Sequence, residues 1–324
     1  MANFAPLKNR FCLVLKGNLD LFSIRGLFLD YGCGRGDVSE YLMGQVAMAE
    51  GIAYDPAFSD DAVREKNARP PHPGLTYANR LVGLPQKVDL AVMFDVIEHV
   101  PNAAEVLREV RDRVRSQGWL AVTVPYNAHE WGEDDEFYGH LRRLSRRGVI
   151  SLLENSGWDV IRVLDPTFPS FWFMRRVYLL SRRISNVFRG RLASAQSSDT
   201  EKSLASAVRS SWDMGGALTR FLAGDIAAWN VVRRFDLYFE SVFLGFELFV
   251  LCQRREGSNL CEVCENGNSS YHKFFGRYAF HRCSSCGSER LLPDTSAPGY
   301  ANVEEKARPP LIETIIYRAR RGRI

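Results

Sequence analysis

The stretch Leu27-Phe28-Leu29-Asp30-Tyr31-Gly32-Cys33-Gly34-Arg35-Gly36-Asp37 decides the fold. An apolar run ends in an acid, three glycines follow at alternate positions, and a helical pattern begins after them. Glycines without a Cβ let the backbone turn tightly and come close to a flat ligand. A dinucleotide-binding turn reads G-x-G-x-x-G. Counted from Gly32 and Gly34, its third glycine would fall at position 37, which is Asp37. The spacing here is D-x-G-x-G-x-G, starting at Asp30.

Outward from this turn, strand and helix patterns alternate. Gly51 to Asp55 reads as a second strand ending in an acid, and Leu75 to Asn79 as a weak third. Val88 to Phe94 is a near-continuous apolar run, as expected of a parallel strand covered on both faces. After Pro101, residues 102–116 carry Ala104, Leu107, Val110 and Val114 at helical spacing, and Gly118 is read as the stop. Trp119 to Val124 is the next strand. Ser145 is the expected N-cap of a helix through Asn155, and Gly157 closes it. Trp158 to Leu164 and Glu247 to Gln253 are strands, and residues 1–26 read as one or two leading helices. This alternation predicts an α/β, doubly wound sheet.

The turn resembles motif I of class I S-adenosylmethionine (SAM) methyltransferases of the small-molecule type, and three further segments extend the likeness. Asp55 stands nineteen residues after Gly36, at a strand end. Phe94-Asp95-Val96-Ile97-Glu98-His99-Val100-Pro101 is similar to the segment after the fourth strand, and Gly139-His140-Leu141-Arg142-Arg143-Leu144-Ser145 to the "HxR" segment before the next helix. The resemblance implies a Rossmann-like seven-stranded sheet whose last strand is antiparallel. It makes 1–165 plus 247–256 the SAM-binding domain and 166–246 a helical insertion. It also implies SAM contacts from Asp30, Gly32, Cys33, Gly34, Gly36, Tyr54, Asp55, Asn79, Phe94 and Asp95, with Asp55 accepting from the ribose hydroxyls. Families of this type often carry an acid after strand three to read the adenine amino group. Here the chain has Asn79-Arg80, and only Asn79 can accept a hydrogen bond there.

Transfer of a sulfonium methyl is an in-line displacement with a neutral leaving group, so alignment and desolvation can carry it. A hydroxyl acceptor would still gain from a base. His99 and His140 are the candidates, because imidazole titrates near neutrality. Glu98 is positioned to orient His99 or to help place the cofactor. The acidic run around His129, from Glu130 through Glu136, is expected to be a solvated loop or lid.

Two further signals lie outside that domain. Taken as a helix, Phe173 to Arg189 gathers Arg175, Arg176, Arg182, Arg183 and Arg189 into roughly 140° of arc, opposite an apolar face within about 100°. Such a helix either packs on the sheet with its arginines in water or lies on an anionic membrane surface. Cys261, Cys264, Cys283 and Cys286 form C-x2-C, eighteen residues, C-x2-C, which is zinc-site spacing. Residues 257–300 therefore read as a zinc ribbon with a structural Zn2+, similar to one found in some bacterial methyltransferases, with His272 and His281 as possible substitute ligands. Residues 301–324 form a basic tail.

The chain has 324 residues, 46% hydrophobic and 25% charged, and a net charge of +4. This is an ordinary globular composition, and its charge alone does not call for a nucleic-acid partner. No signal peptide or bilayer-length apolar run is evident, which predicts a cytoplasmic protein with reduced cysteines, possible peripheral contact with the inner membrane face, and an unassigned oligomeric state. The expected activity is SAM-dependent methylation of a small or lipid-linked metabolite at oxygen. The alternatives are an RNA or protein methyltransferase that uses the ribbon to hold a macromolecule, and a non-catalytic zinc-dependent interaction module.

Overall fold

The computed structural model describes residues 6–19, 26–45, 50–85, 87–180, 235–255, 264, 269–275 and 278–293. The helices are α1 (Pro6–Asn18), α2 (Asp37–Gln45), α3 (Asp60–Ala68), α4 (Ala103–Arg113), α5 (Glu133–Tyr138) and α6 (Arg146–Asn155). The strands are β1 (Leu27–Tyr31), β2 (Glu50–Tyr54), β3 (Leu75–Ala78), β4 (Val88–Phe94), β5 (Val114–Pro125), β6 (Trp158–Leu164), β7 (Glu247–Arg254), β8 (Ser269–Phe275), β9 (Tyr278–Cys283) and β10 (Glu289–Pro293).

Seven strands form one sheet in the order β3-β2-β1-β4-β5-β7-β6. β1 to β5 pair in parallel, and β7 enters antiparallel between β5 and β6. The order reverses between β1 and β4, and ligands of open α/β sheets bind at the strand carboxyl ends beside such a switch point. The expected seven-stranded sheet with an antiparallel last strand is therefore present.

The central strands feed two cores. In β4, Val88, Ala91 and Met93 face a layer with Leu107 and Val110 of α4 and Val149 and Leu153 of α6. Leu90, Val92 and Phe94 face the other layer, with Phe11 and Leu15 of α1 and Leu42 of α2. β7 divides the same way, Leu248, Val250 and Cys252 against Phe249 and Leu251. Burial on both faces is why these strands read as unbroken apolar runs.

Two boundaries differ from expectation. α4 starts at Ala103, with Asn102 as N-cap and Pro101 outside it, and ends at Arg113. Residues 114–118, expected in the helix and its stop, open β5 instead, and the register against β4 shifts between Val88 and Leu90. A Cβ on Gly118 would lie 2.5 Å from Val114 Cγ1, so this glycine admits the irregular strand rather than ending a helix. α6 keeps its expected cap, with Ser145 Oγ accepting from Gly148 N at 3.1 Å and Gly157 following at φ +89°.

In the insertion, residues 170–180 are helical and 181–234 lie outside the described residues. Arg182, Arg183 and Arg189 of the expected basic helix fall there. Arg175 is buried in ion pairs with Glu130 and Asp134, and Arg176 pairs with Glu130 over the Trp172 ring. Among the described residues, no helix is long and apolar enough to cross a membrane.

β8, β9 and β10 form a separate antiparallel sheet, with β9 in the middle. It docks on β6. A register shift between Val160 and Arg162 accompanies a bond from the buried His281 Nε2 to Val160 O at 2.8 Å. Tyr271 N donates to Glu154 of α6. His281 is thus a docking residue rather than a substitute zinc ligand. Residues 257–263 and 301–324, with Cys261 and the basic tail, lie outside the described residues.

Candidate active site

The glycine turn leaves β1 at its carboxyl end. Gly32, Gly34 and Gly36 all have positive φ, at 78°, 56° and 94°. The three are used differently. A Cβ on Gly32 would lie 2.6 Å from Val96 Cγ2, and one on Gly36 2.8 Å from the Tyr77 ring. A Cβ on Gly34 would meet nothing within 4 Å. Gly32 and Gly36 thus permit close packing against the neighbouring loop and β3, while Gly34 is exposed and borders open space.

Backbone bonds lock the turn to β2. Gly32 N and Cys33 N both donate to Tyr54 O, at 2.8 and 3.0 Å. Gly34 N donates to Asp55 Oδ2 at 2.8 Å, and Ala57 N to Asp55 Oδ1 at 2.9 Å. Each carboxylate oxygen keeps lone-pair capacity for a further donor. Asp30, buried beneath the turn, accepts from Ser39 Oγ at 2.5 Å, and burial pushes its pKa up to about 6 despite that bond. Asn79 gives its amide hydrogens to Phe58 O and Asp60 Oδ1, which leaves its side-chain oxygen as an acceptor. Tyr54 and Phe94 point elsewhere. The Tyr54 ring packs on Tyr31 at 4.8 Å, and Phe94 on Phe11 at 5.7 Å. The Cys33 thiol is buried, and burial raises its pKa.

Asp95 leaves β4 in the left-handed region, at φ 58°. Thr123 of β5 holds it there: Asp95 N donates to Thr123 O and Oγ1, and Thr123 Oγ1 donates to Asp95 Oδ1 at 2.7 Å. A non-glycine residue in this conformation needs such support, and these conformations cluster at functional sites.

The next turn carries Glu98 and His99, and a backbone bond from Leu141 N to Glu98 O at 2.9 Å brings His140 to them. The two imidazoles meet edge to face at 4.9 Å between centroids. His99 Nε2 lies 3.8 Å and His140 Nε2 4.0 Å from Glu98 Oε1. Glu98 is fully buried, and neither carboxylate oxygen has a hydrogen-bond partner. Burial, then the charge of Asp95, pushes its pKa up to about 9. Burial, then His140, lowers the pKa of His99.

Residues that sequence reasoning missed organise this cluster. Asp135 belongs to the acidic run expected to be solvated, yet it is fully buried. It accepts from His140 Nδ1 at 2.7 Å, Arg143 Nε at 2.8 Å and Gly132 N at 2.8 Å. Burial alone would raise its pKa, but the bonds from His140 and Arg143 outweigh it and bring the acid down to about 2. Arg143 also donates to Tyr126 O and Phe246 O, tying the site to β5 and to the residue before β7. Glu130 and Asp134 bind Arg175. The available signal was the acid-rich 130–136 run facing an arginine-rich 142–147 segment. Glu247, at the start of β7, is buried with Oε2 unpartnered, and burial, then Asp95 and Glu98, raises its pKa well above the ordinary value.

Among the cysteines, Cys264, Cys283 and Cys286 come together, with Cys264 Sγ 3.7 Å from Cys283 Sγ. Zn–S bonds of about 2.3 Å in a tetrahedron put sulfurs about 3.8 Å apart, so this separation fits. Ser285 N and Cys286 N point at Cys283 Sγ from 3.3 and 3.5 Å, and Gly287 turns at φ 72°. These three thiols are free of disulfides.

Residues 10–163 match the family model described as a methyltransferase domain. This match lies over the part of the chain that carries the glycine turn and strands β1 to β6, in a sheet of Rossmann-like methyltransferase order. Over 137 residues the chain is 30% identical to a protein of Mycolicibacterium smegmatis described as a "probable S-adenosylmethionine-dependent methyltransferase", covering 41% of this chain and 51% of that one. The chain thus spans about half the length of this curated relative. Among solved structures, similarity extends to the [4+2]-cyclase SpnF, at 16% identity, 77% and 81% coverage and TM-score 0.46. It also extends to the N,N-8-amino-8-demethyl-D-riboflavin dimethyltransferase RosA of Streptomyces davawensis, at 20% identity, 48% and 50% coverage and TM-score 0.39.

Proposed function

We propose that this protein transfers a methyl group from SAM to an oxygen of a small acceptor with an apolar body, such as a lipid-linked metabolite. The observation that carries the SAM reading is the glycine turn at the β1/β4 switch point, where the Gly34 amide is fixed by Asp55 and open space adjoins the Gly34 Cα. The residues fit the cofactor: Asp55 retains acceptor capacity for ribose hydroxyls, Asn79 has a free carbonyl for an adenine amine, and Gly34 admits a close approach. When bound, SAM supplies an electrophilic sulfonium methyl.

The chain's own residues would align and activate the acceptor. His99 and His140 stand beside the turn through Val96, which packs on Gly32. Asp135 is ionised at neutral pH, so it accepts a hydrogen bond from His140 Nδ1, which leaves Nε2 on the side of Glu98 and His99. Half-exposed Phe137, Tyr138 and Leu141 flank His140, an apolar rim suited to an acceptor with a hydrocarbon portion. The three clustered thiols, together with the sequence spacing that adds Cys261 as a fourth, support a structural Zn2+ beside the β8–β10 sheet.

Calorimetry with SAM and S-adenosylhomocysteine tests the first half of this reading. A labelled-methyl assay over hydroxylated acceptors with and without lipid tails tests the second. Saturable binding followed by methyl ether formation is expected. Transfer only to RNA or protein would overturn the acceptor assignment.

A further inference from the structure

Glu98, His99 and His140 lie where the methyl-transfer reading requires an acceptor to be activated, but an acid–base role leaves one of them unexplained. Glu98 is fully buried at the centre of the cluster with both carboxylate oxygens unpartnered. Leaving a buried polar group unpaired is costly, because its lost hydration is not replaced. Such orphans in a folded protein call for a ligand or a catalytic role.

We infer that Glu98, His99 and His140 form a binding site for a first-row divalent cation, which anchors an oxygen of the acceptor. Their ligand atoms lie within 4.8 Å of one another. Ligands about 2.0–2.2 Å from a tetrahedral ion sit about 3.3–3.5 Å apart. The Glu98–His99 and Glu98–His140 separations of 3.8 and 4.0 Å therefore need only a small contraction around an ion. Two imidazole nitrogens and one carboxylate oxygen, with positions left open, form a donor set typical of zinc and of non-haem iron.

The surroundings favour a cation. His140 carries the outer-sphere partner that metal-bound histidines commonly have: Asp135 accepts its Nδ1 proton and fixes Nε2 as the ligand atom. Glu98, Asp95, Glu247 and Asp135 bring four carboxyl groups together, with Arg143, Arg175 and, towards Asp95, Lys8 as positive side chains acting on them. A divalent ion would offset that imbalance and give the Glu98 oxygens a partner.

The metal site and the SAM reading are tested separately. The full chain is stripped with a chelator and titrated with Co2+ as a visible substitute for zinc. The cysteine cluster gives thiolate-to-cobalt charge-transfer bands, whereas a Glu/His site gives ligand-field bands alone. Wild type is expected to show both signatures. The ligand-field-only component should persist in Cys283→Ser/Cys286→Ser, and its affinity should fall at least about tenfold in Glu98→Gln and in His99→Ala. His99 is half-exposed, so its replacement leaves the core packing intact. Retained SAM binding by calorimetry shows that each variant is folded. Cobalt bound only with thiolate bands, or equally tightly by wild type and both site variants, would overturn the inference. Such a result would leave SAM binding standing.

Discussion

Gly34 and Gly36 share a backbone region but not a reason for being glycine, and substitution separates the two. Alanine at 36 places a Cβ 2.8 Å from the Tyr77 ring at φ 94°, a conformation that costs a side chain on the order of 1–3 kcal/mol before the clash is counted. Gly36→Ala should therefore lower the midpoint of denaturant unfolding markedly. Gly34→Ala meets no atom and sits at φ 56°, where the cost is about 1–2 kcal/mol. It should fold with modest loss yet bind SAM much more weakly. Equal stability losses with unchanged binding would contradict this division. Asp30 gives a pH signature. Its folded-state pKa, about 6, lies above the ordinary 3.8, so between these values the folded chain holds more protons than the unfolded one. Stability from this group falls as pH rises through that window, by about 3 kcal/mol in all. In Asp30→Asn this contribution is absent, so the variant gains stability relative to wild type between about pH 4 and 7, which equilibrium unfolding at several pH values would read. The site residues that were legible in the sequence are those whose position in a motif is local: Gly32, Gly34, Asp55, Glu98 and His99. Asp135 was not legible, because its burial comes from Arg143 and His140 crossing to it, and a run of four acids looks the same whether one of them is buried or none is.

At the scale of elements, strand patterns carried most of the information. β4 and β7 declare themselves because both faces are covered, and α6 because Ser145 and Gly157 punctuate it. The α4–β5 boundary did not, since Val110 and Val114 continue a helical period into a strand that Gly118 lets bend. The docking of the β8–β10 sheet was also hidden, because it depends on a carbonyl exposed by the irregular pairing at Val160 and Arg162. Removing the His281 imidazole should weaken that docking by about 1–3 kcal/mol, the cost of an unpaired buried group. Limited proteolysis of His281→Ala should then release the C-terminal segment faster than in wild type, while the seven-stranded domain keeps its SAM affinity. An unchanged cleavage rate would show that Tyr271 and Glu154 hold the sheet alone.

At the scale of the molecule, the sheet order places the glycine turn, Asp55, Asn79, Asp95 and the two histidines along one edge, the carboxyl ends of β1 to β5. Alternation of strand and helix predicted a parallel sheet. The antiparallel last strand came from resemblance alone, and its place between β5 and β6 was not read from the sequence, since the long segment before β7 conceals its pairing from local patterns. The edge-wise gathering supports a single ligand spanning β1 to β4, with the acceptor beyond β4 at Glu98, His99 and His140. Asp55 is the test of that arrangement: its Oδ2 fixes Gly34 N, and its carboxylate keeps acceptor capacity for the proposed ribose hydroxyls. Isothermal calorimetry of the full chain with SAM, beside Asp55→Ala, addresses this most directly. The prediction is one saturable site in wild type, weakened roughly 10–100-fold by loss of the charge-assisted bonds. Folded wild-type protein that binds no SAM, or an Asp55→Ala variant that binds as tightly as wild type, would contradict it.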